Sequence, residues 1–411
     1  LRNLFADYPP EKIATVFSTT NIAPDWNCAG YYFKINPLDV CGINRHGGVR
    51  SAPLCEAAAQ PGMEGARKNP FRQLIRKGLL EVLEFFPMTE SPEFKRWIHD
   101  FSPDVIYTLG AHTQIMRLAT SISREHDLPV VLHFMDNWID TRYAGKAHFL
   151  SRAVMLHAMR KLLERSSLFM TISPEMSEEY QRLFRLPGYP FMNCIPQRPY
   201  QPPDFPETRP LKIFYIGGLH LFRGQVIKDV ASAIRAREDL AANFRITVFA
   251  PEKDWHDAEN LHDDEIIAYG GNLSYSEVGV TASMADILLH VESFSPSCTE
   301  YTKLSISTKL VEYFMAGRPV LGVAPKHLAS VKEIGRAGGV AAQSANEIQD
   351  ALAQLMEFGT RQKCGEKIYE YAVKNHAAKS VRLAFLDVFQ TAAAKGIPVG
   401  HPDLAQGIAG S

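Results

Sequence analysis

Residues 305–321 read SISTKLVEYFMAGRPVL, and their pattern decides how the surrounding chain folds. Leu310, Tyr313 and Phe314 fall on one apolar stripe. The hydroxyls of Ser307 and Thr308 suit a helix N-cap, and Gly317 followed by Pro319 ends the helix before the apolar run that starts at Val320. This predicts a short helix whose N-terminus opens toward a strand-side cleft. Free N–H groups and the positive dipole end at Ser307, Thr308 and Lys309 suit a diphosphate, and Glu312, one turn further on, suits the diol of a neighbouring ribose. The same residues also fit an ordinary cleft-facing helix of an α/β protein, and local physics leaves both readings open.

Around this segment the chain has room for two cores: it has 411 residues, 46% of them hydrophobic, while single cores seldom grow past ~250 residues. From residue 11 onward, apolar β-rich runs alternate with helical stretches, which predicts parallel sheets covered by helices. Strands are predicted at 13–18, 105–109, 130–134 and 168–172, then at 245–250, 266–269, 287–291 and 320–323. Between the two sets, 197–210 (QRPYQPPDFPETRP) holds five prolines and reads as an extended linker with few contacts, across which two domains would close on a ligand. The division predicted is 1–198, linker 199–210, 211–378, and a tail 379–411. The helical stretch 363–394 carries a kink at Asn375-His376-Ala377-Ala378.

Lysine plus arginine (44) nearly balance aspartate plus glutamate (45), which argues against a nucleic-acid partner. Six scattered cysteines without C-x-x-C spacing fit a reducing compartment. No apolar run approaches the ~20 residues of a membrane span and no leader pattern opens the chain, so the expectation is a cytoplasmic protein, soluble or peripheral on the inner face of the membrane. Segment 67–86 sets Phe71, Leu74, Ile75, Leu79 and Leu83 beside Arg67, Lys68, Arg72, Arg76 and Lys77. That pattern fits an anionic membrane surface, and equally a helix packed on a sheet with a solvated basic rim.

The 305–321 block resembles the donor-site signature of retaining GT-B glycosyltransferases of family four, roughly a Ser/Pro-Thr-Lys-aliphatic-x-Glu-Tyr-x-x-x-Gly-x-Pro-Val run. Thr308, Lys309, Glu312, Tyr313, Gly317, Pro319 and Val320 match it. Residues 285–294 (ADILLHVESF) resemble the strand before that block, and 211–224 (LKIFYIGGLHLFRG) the strand and glycine turn that open the nucleotide domain. The resemblance implies an α/β fold of two doubly wound Rossmann-like domains facing across a cleft, with a C-terminal helix that crosses back to the first. It implies a UDP-, GDP- or ADP-linked sugar donor as co-substrate, no cofactor, and transfer of a hexose-type residue with retention to a saccharide or lipid-linked acceptor in surface polysaccharide or glycolipid assembly. Such folds open with a strand and glycine-rich turn, whereas Leu1–Phe5 reads as a helix end and Gly47-Gly48 as a loop, so those opening elements are expected to be missing.

No two aspartates stand two apart, so the Asp-x-Asp metal clamp of the other large glycosyltransferase fold is absent and a metal-independent mechanism follows. Fixed positive charge must then hold the departing diphosphate, from Arg223 after the Gly217-Gly218 turn together with Lys309 or Lys303. Gly218 stands where the family usually has an arginine, and Arg223 also fits a solvated loop residue. Of the family's two glutamates eight residues apart, Glu312 fits the second. Leu304 stands where the first would be, which leaves Glu292 or Glu300, displaced by an insertion at 295–305. Glu292, just past a strand end, is preferred over Glu300, with a surface carboxylate as the plain alternative. In the first domain, 128–138 resembles a strand ending in a His-Asp pair, with Met135 in the histidine's place. Asp136 is the acceptor-side candidate. His133, two residues before Met135 on a strand of period two, either reaches the cleft from deeper or is a core histidine. Ser173 is expected to cap a helix near the cleft. A non-catalytic nucleotide-sugar binder remains the rival reading, on the strength of Met135, Gly218 and the missing first strand.

Overall fold

Two buried apolar runs, VVLHF and ILLHV, form inner strands of two separate parallel sheets in the computed structural model, which describes residues 2–17, 26–35, 48–51, 82, 85–88, 90–145, 148–202 and 210–398. In the first half, β1 (Ala14–Phe17) pairs parallel with β2 (Tyr31–Lys34), which pairs antiparallel with β3 (Gly48–Ser51). Gly48, expected in a loop, therefore opens a strand. A second sheet holds β4 (Ile106–Thr108), β5 (Val130–Phe134), β6 (Phe169–Thr171) and β7 (Gly188–Pro190), all parallel and in chain order.

Chain order has a consequence for packing. Right-handed crossovers that always add a strand on the same side leave their helices on one face. On that face Val130, Leu132 and Phe134 share a core with Met116, Met155 and Tyr180 from the helices Thr113–His126, Phe149–Leu163 and Pro174–Phe184. The Phe134 ring meets Tyr180 at 4.8 Å and Trp138 at 5.5 Å, and full burial of such a ring contributes roughly 1.5–3 kcal/mol. The opposite face, carrying Val131 and Met170, is covered by Leu4 and by Phe385 and Val388 of the helix Ala378–Lys395. The first half thus shows no strand-order reversal among the described residues, and its cover on one side comes from the far end of the chain.

In the second half β8 (Leu211–Ile216), β9 (Phe244–Phe249), β10 (Ile267–Gly271), β11 (Ile287–Val291), β12 (Val320–Val323) and β13 (Val340–Ala342) form one parallel sheet in the order β10-β9-β8-β11-β12-β13. The order reverses between β8 and β11, the switch point at which open α/β sheets bind ligands beyond the strands' carboxyl ends. The long C-terminal helical stretch breaks at Ala377, whose extended backbone (φ −65°, ψ 129°) separates the helices Phe358–His376 and Ala378–Lys395. There the Ile195 N–H donates to His376 O and the Ile195 carbonyl accepts from the Ala378 N–H, which turns the chain onto the first sheet.

The linker is less free than its prolines suggest. Residues 203–209 lie outside the described set, but those just before them are pinned: Tyr369 donates to Arg198 O at 2.6 Å, Arg318 to Gln201 O at 2.6 Å, and Tyr200 packs on Tyr369. One apolar cluster also takes in Ile172 and Met176 of the first half with Leu304, Ile306 and Phe314 of the second. The reading of a boundary with few contacts is therefore corrected: the halves are joined along a shared core. The basic segment 67–86 lies outside the described residues apart from 82, 85 and 86. Among the described residues no helix is long and apolar enough to cross a membrane.

Between the halves, Arg336 bonds Glu175 at 2.7 Å, while Glu333, buried, takes bonds from Arg336 and from Tyr371 at 2.8 Å with His376 Nε2 at 3.3 Å. Burial alone raises the Glu333 pKa, but His376, Arg336 and Tyr371 outweigh it and hold the carboxylate down at about 2. A depressed carboxylate stabilises the fold above its unfolded pKa, and that stability is lost as pH falls toward 2. Glu333→Gln should lower stability at pH 7 by roughly 3 kcal/mol and flatten the fall in urea midpoint between pH 5 and 2. An unchanged acid limb would show that the cluster is not coupled to folding.

Candidate active site

Where β8 ends, the chain must leave the sheet and enter a helix within a few residues. It does so through Gly217 and Gly218, whose added Cβ atoms would meet the Tyr215 hydroxyl at 2.9 Å and the His220 ring at 2.6 Å. The Tyr215 hydroxyl donates to Gly218 O at 2.6 Å, and Leu219 N–H donates to Asp254 at 2.9 Å. Leu221 and Phe222 then take left-handed backbone angles (φ 60° and 57°), a costly pair for residues with side chains, and start the helix Arg223–Arg235. Arg223 thereby points back over the strand ends.

Its partner comes from the next strand across the switch point. Glu292 follows β11 directly, is 3% exposed, and meets Arg223 in a fork: Nε to Oε2 at 3.1 Å and Nη2 to Oε1 at 3.0 Å. Burial raises the Glu292 pKa and Arg223 opposes that rise. His290, two residues earlier on the same strand face, lies 3.7 Å from Glu292, and its Nε2 has no hydrogen-bond partner. Burial, then Arg223, lower its pKa to about 3, so the ring is neutral near pH 7.

These groups line a cavity of roughly 370 Å³ at the cleft between the halves. Gly217, Gly218, Arg223, Glu292, Ser307, Thr308 and Lys309 all border it, and from the first half Met135 and Asp136 do so. Burial, then Arg223, lower the pKa of Lys309, whose Nζ stands 3.2 Å from the place of a Gly217 Cβ. Asp136, open to the cleft, has its carboxyl raised by lost hydration. Among the described residues no group of three or more His, Cys, Asp and Glu gathers as a metal site would.

Three sequence readings change. His133 is wholly buried and lies outside the cavity, its Nδ1 2.6 Å from the Tyr107 hydroxyl. The period of two puts it beside Val131 on the face covered by the Ala378–Lys395 helix, while the cavity opens past the strand's end, at Met135. Burial lowers its pKa to about 4. The helix begins only at Leu310, and neither Ser307 nor Thr308 caps it: the Leu310 N–H is taken by the Ser307 backbone carbonyl. Glu312 is buried but does not border the cavity. Its carboxylate stands 3.0 Å from Arg198 Nη1, off hydrogen-bond alignment, and burial raises its pKa against the pull of Arg198. Arg198 fits there because Gly279 has no Cβ to exclude it.

Other residues at the cavity were not singled out in the sequence. Tyr301, inside the segment 295–305, lines the wall, and His220 lies beside Arg223 at 3.2 Å. Nothing in its spacing marks Tyr301, since a stretch read as an insertion has no register. Ser173, expected as a cap, accepts Met176 N–H at 3.0 Å and also donates to Leu304 O across the halves.

Residues 48–189 match the profile described as a glycosyl transferase 4-like domain. No curated protein matches the chain by sequence. Among solved structures, an α,α-trehalose-phosphate synthase (UDP-forming) from Burkholderia vietnamiensis superposes with a TM-score of 0.52 at 10% identity, covering 82% of this chain and 81% of its own. The Anabaena protein Alr3699/HepE in complex with UDP and glucose gives 0.54 at 12%, covering 79% and 89%. Likeness at such identities concerns the fold. The chain thus has the GT-B fold of two Rossmann-like domains, and its residues 48–189 match the glycosyl transferase 4-like domain.

Proposed function

We propose that this protein is a glycosyltransferase that moves a hexose-type residue from a nucleotide sugar to a saccharide or glycolipid acceptor, with retention and without a metal ion. One observation carries the reading. The Arg223–Glu292 fork, Lys309 and the Gly217-Gly218 turn line one cavity at a switch point, and Asp136 borders it from the other domain. A turn without side chains lets a diphosphate approach the backbone, and two poorly hydrated cations beside it favour the charge that grows on the leaving group. The structurally similar Anabaena protein was also solved with UDP-glucose, which supports a nucleotide-sugar donor.

In this reading Asp136 orients the acceptor hydroxyl and Glu292 faces the donor sugar. The bond from the anomeric carbon to the phosphate oxygen breaks, the acceptor oxygen bonds that carbon from the same face, and the leaving phosphate oxygen takes the acceptor's proton. Retention thus needs no covalent intermediate, and the protein's contribution is positioning and electrostatic hold. Assembly of surface polysaccharide or glycolipid on the cytoplasmic side of the membrane is the process that fits the family resemblance.

Incubation with UDP-, GDP- and ADP-sugars and a set of saccharide acceptors, with proton NMR of the product anomer, tests this directly. Release of nucleoside diphosphate with an axial-to-axial anomeric outcome is expected for an α-linked donor. Saturable binding without turnover would instead make the protein a nucleotide-sugar binder.

Two further outcomes follow from the site. Arg223→Ala should lower kcat by about 10²–10³-fold, while EDTA leaves the wild type active. Restoration of a chelated enzyme by magnesium or manganese would overturn the metal-free mechanism. The substitution also strands the buried Glu292 carboxylate at a cost of about 3 kcal/mol, so rates belong with a denaturation curve of the same variant. Because burial raises the Asp136 pKa, activity that needs the carboxylate should fall on the acid side at a pH above the ordinary aspartate range. Asp136→Asn should erase that limb and lower kcat/KM ~10–100-fold.

A further inference from the structure

The insertion 295–305 forms the helix Pro296–Thr302 and the turn after it, and both domains grip this segment by its backbone. From the first domain, the Asn137 amide donates to Glu300 O at 3.1 Å and the Ser173 hydroxyl donates to Leu304 O at 2.5 Å. Both side chains are fully buried, and Asn137 is itself held by the Tyr180 hydroxyl at 3.1 Å. From the second domain, Ala329 N–H donates to Lys303 O at 3.0 Å. Inside the segment, Thr302 bonds back to Cys298 O at 3.0 Å, and both residues are buried. A surface insertion that served only as a loop would not need two buried donors from the opposite domain.

The grip has a geometric result. Asn137 and Glu300 are bonded, so their neighbours in the chain, Asp136 and Tyr301, are brought to the same stretch of the cavity wall. Tyr301 is 39% exposed and lines the cavity. Its hydroxyl pKa is raised by burial, then by Asp136, with Arg223 opposing, so both charged groups act on it. Tyr301 thus shares the cavity with the carboxylate of the first domain and the arginine fork of the second. A flat apolar ring with one hydroxyl suits a pyranose, which offers a C–H face to the ring and hydroxyls to its edge.

We propose that Tyr301 is a specificity-determining residue that packs against the acceptor saccharide at the point of transfer, carried there by a segment which the two domains hold in common. This rests on the transferase reading above. It assigns the insertion the task of presenting the acceptor in place of water. Loss of the ring then raises the acceptor KM and lets water take the sugar, giving free hexose, nucleoside diphosphate and a proton.

The test uses the full chain with the UDP-, GDP- or ADP-sugar that it turns over and the best acceptor from the same panel. Transfer and donor hydrolysis are measured side by side for wild type, Tyr301→Ala and Tyr301→Phe. Tyr301→Ala should raise the acceptor KM about tenfold or more and shift the products toward hydrolysis, with donor KM within about twofold of wild type. Tyr301→Phe keeps the ring and should retain most of the acceptor affinity. An active Tyr301→Ala with unchanged acceptor KM and an unchanged ratio of transfer to hydrolysis would overturn the inference and leave the transferase reading standing. Equal losses in donor and acceptor KM would overturn it as well, since the residue would then act on the whole site. Absence of turnover by the wild type with every donor would remove the transferase reading and this inference with it.

Discussion

The reversal of strand order between β8 and β11 governs the site, because it sends the segments after two adjacent strands to opposite faces of one sheet and leaves a crevice between them. Only there do Arg223, entering from the β8 side, and Glu292, at the end of β11, meet with little water between them. An isolated ion pair at the surface contributes little, but a forked pair at the floor of a crevice is a fixed local field. The neutral His290 beneath it adds no charge and leaves that field undivided.

Several strands were legible because a fully buried parallel strand has few residue types to choose from. The runs at 130–134, 287–291 and 320–323 were read with the bounds the structure shows. Legibility fails where the outcome depends on what lies across from a residue. The faces of β5 look alike in sequence, and His133 went to the side covered by a helix almost 250 residues later, a partner no local pattern can reveal. Glu312 reads as a cleft residue from its turn alone. Its side is decided by Gly279 and by an arginine in a segment that reads as linker. The hydroxyls at Ser307 and Thr308 invite a capping role, but here the turn before Leu310 is closed by backbone alone.

The shared apolar cluster bears on how the cleft works. Domains joined by a few linker residues move as separate bodies, whereas here Ile172, Leu304 and Phe314 lie in one continuous core. Any closing motion must slide or hinge along that seam, with the Glu175–Arg336 pair at its edge. Such a seam favours small adjustments over wide opening. The left-handed pair Leu221–Phe222 is then a local place where backbone strain is already stored at the cavity rim.

The helix Ala378–Lys395 also sets the order of events during synthesis. Val131, Leu168 and Met170 leave the ribosome long before Phe385 and Val388, which cover them. At ~5–20 residues per second, that face of the first sheet stays bare for roughly ten seconds or more after its strands exist. A nascent chain in that interval presents a sticky apolar surface and an unshielded Tyr107–His133 pair. The protein is therefore most at risk of misassembly before the helix Ala378–Lys395 emerges, and a chaperone that engages apolar strands would find its binding surface on the first domain.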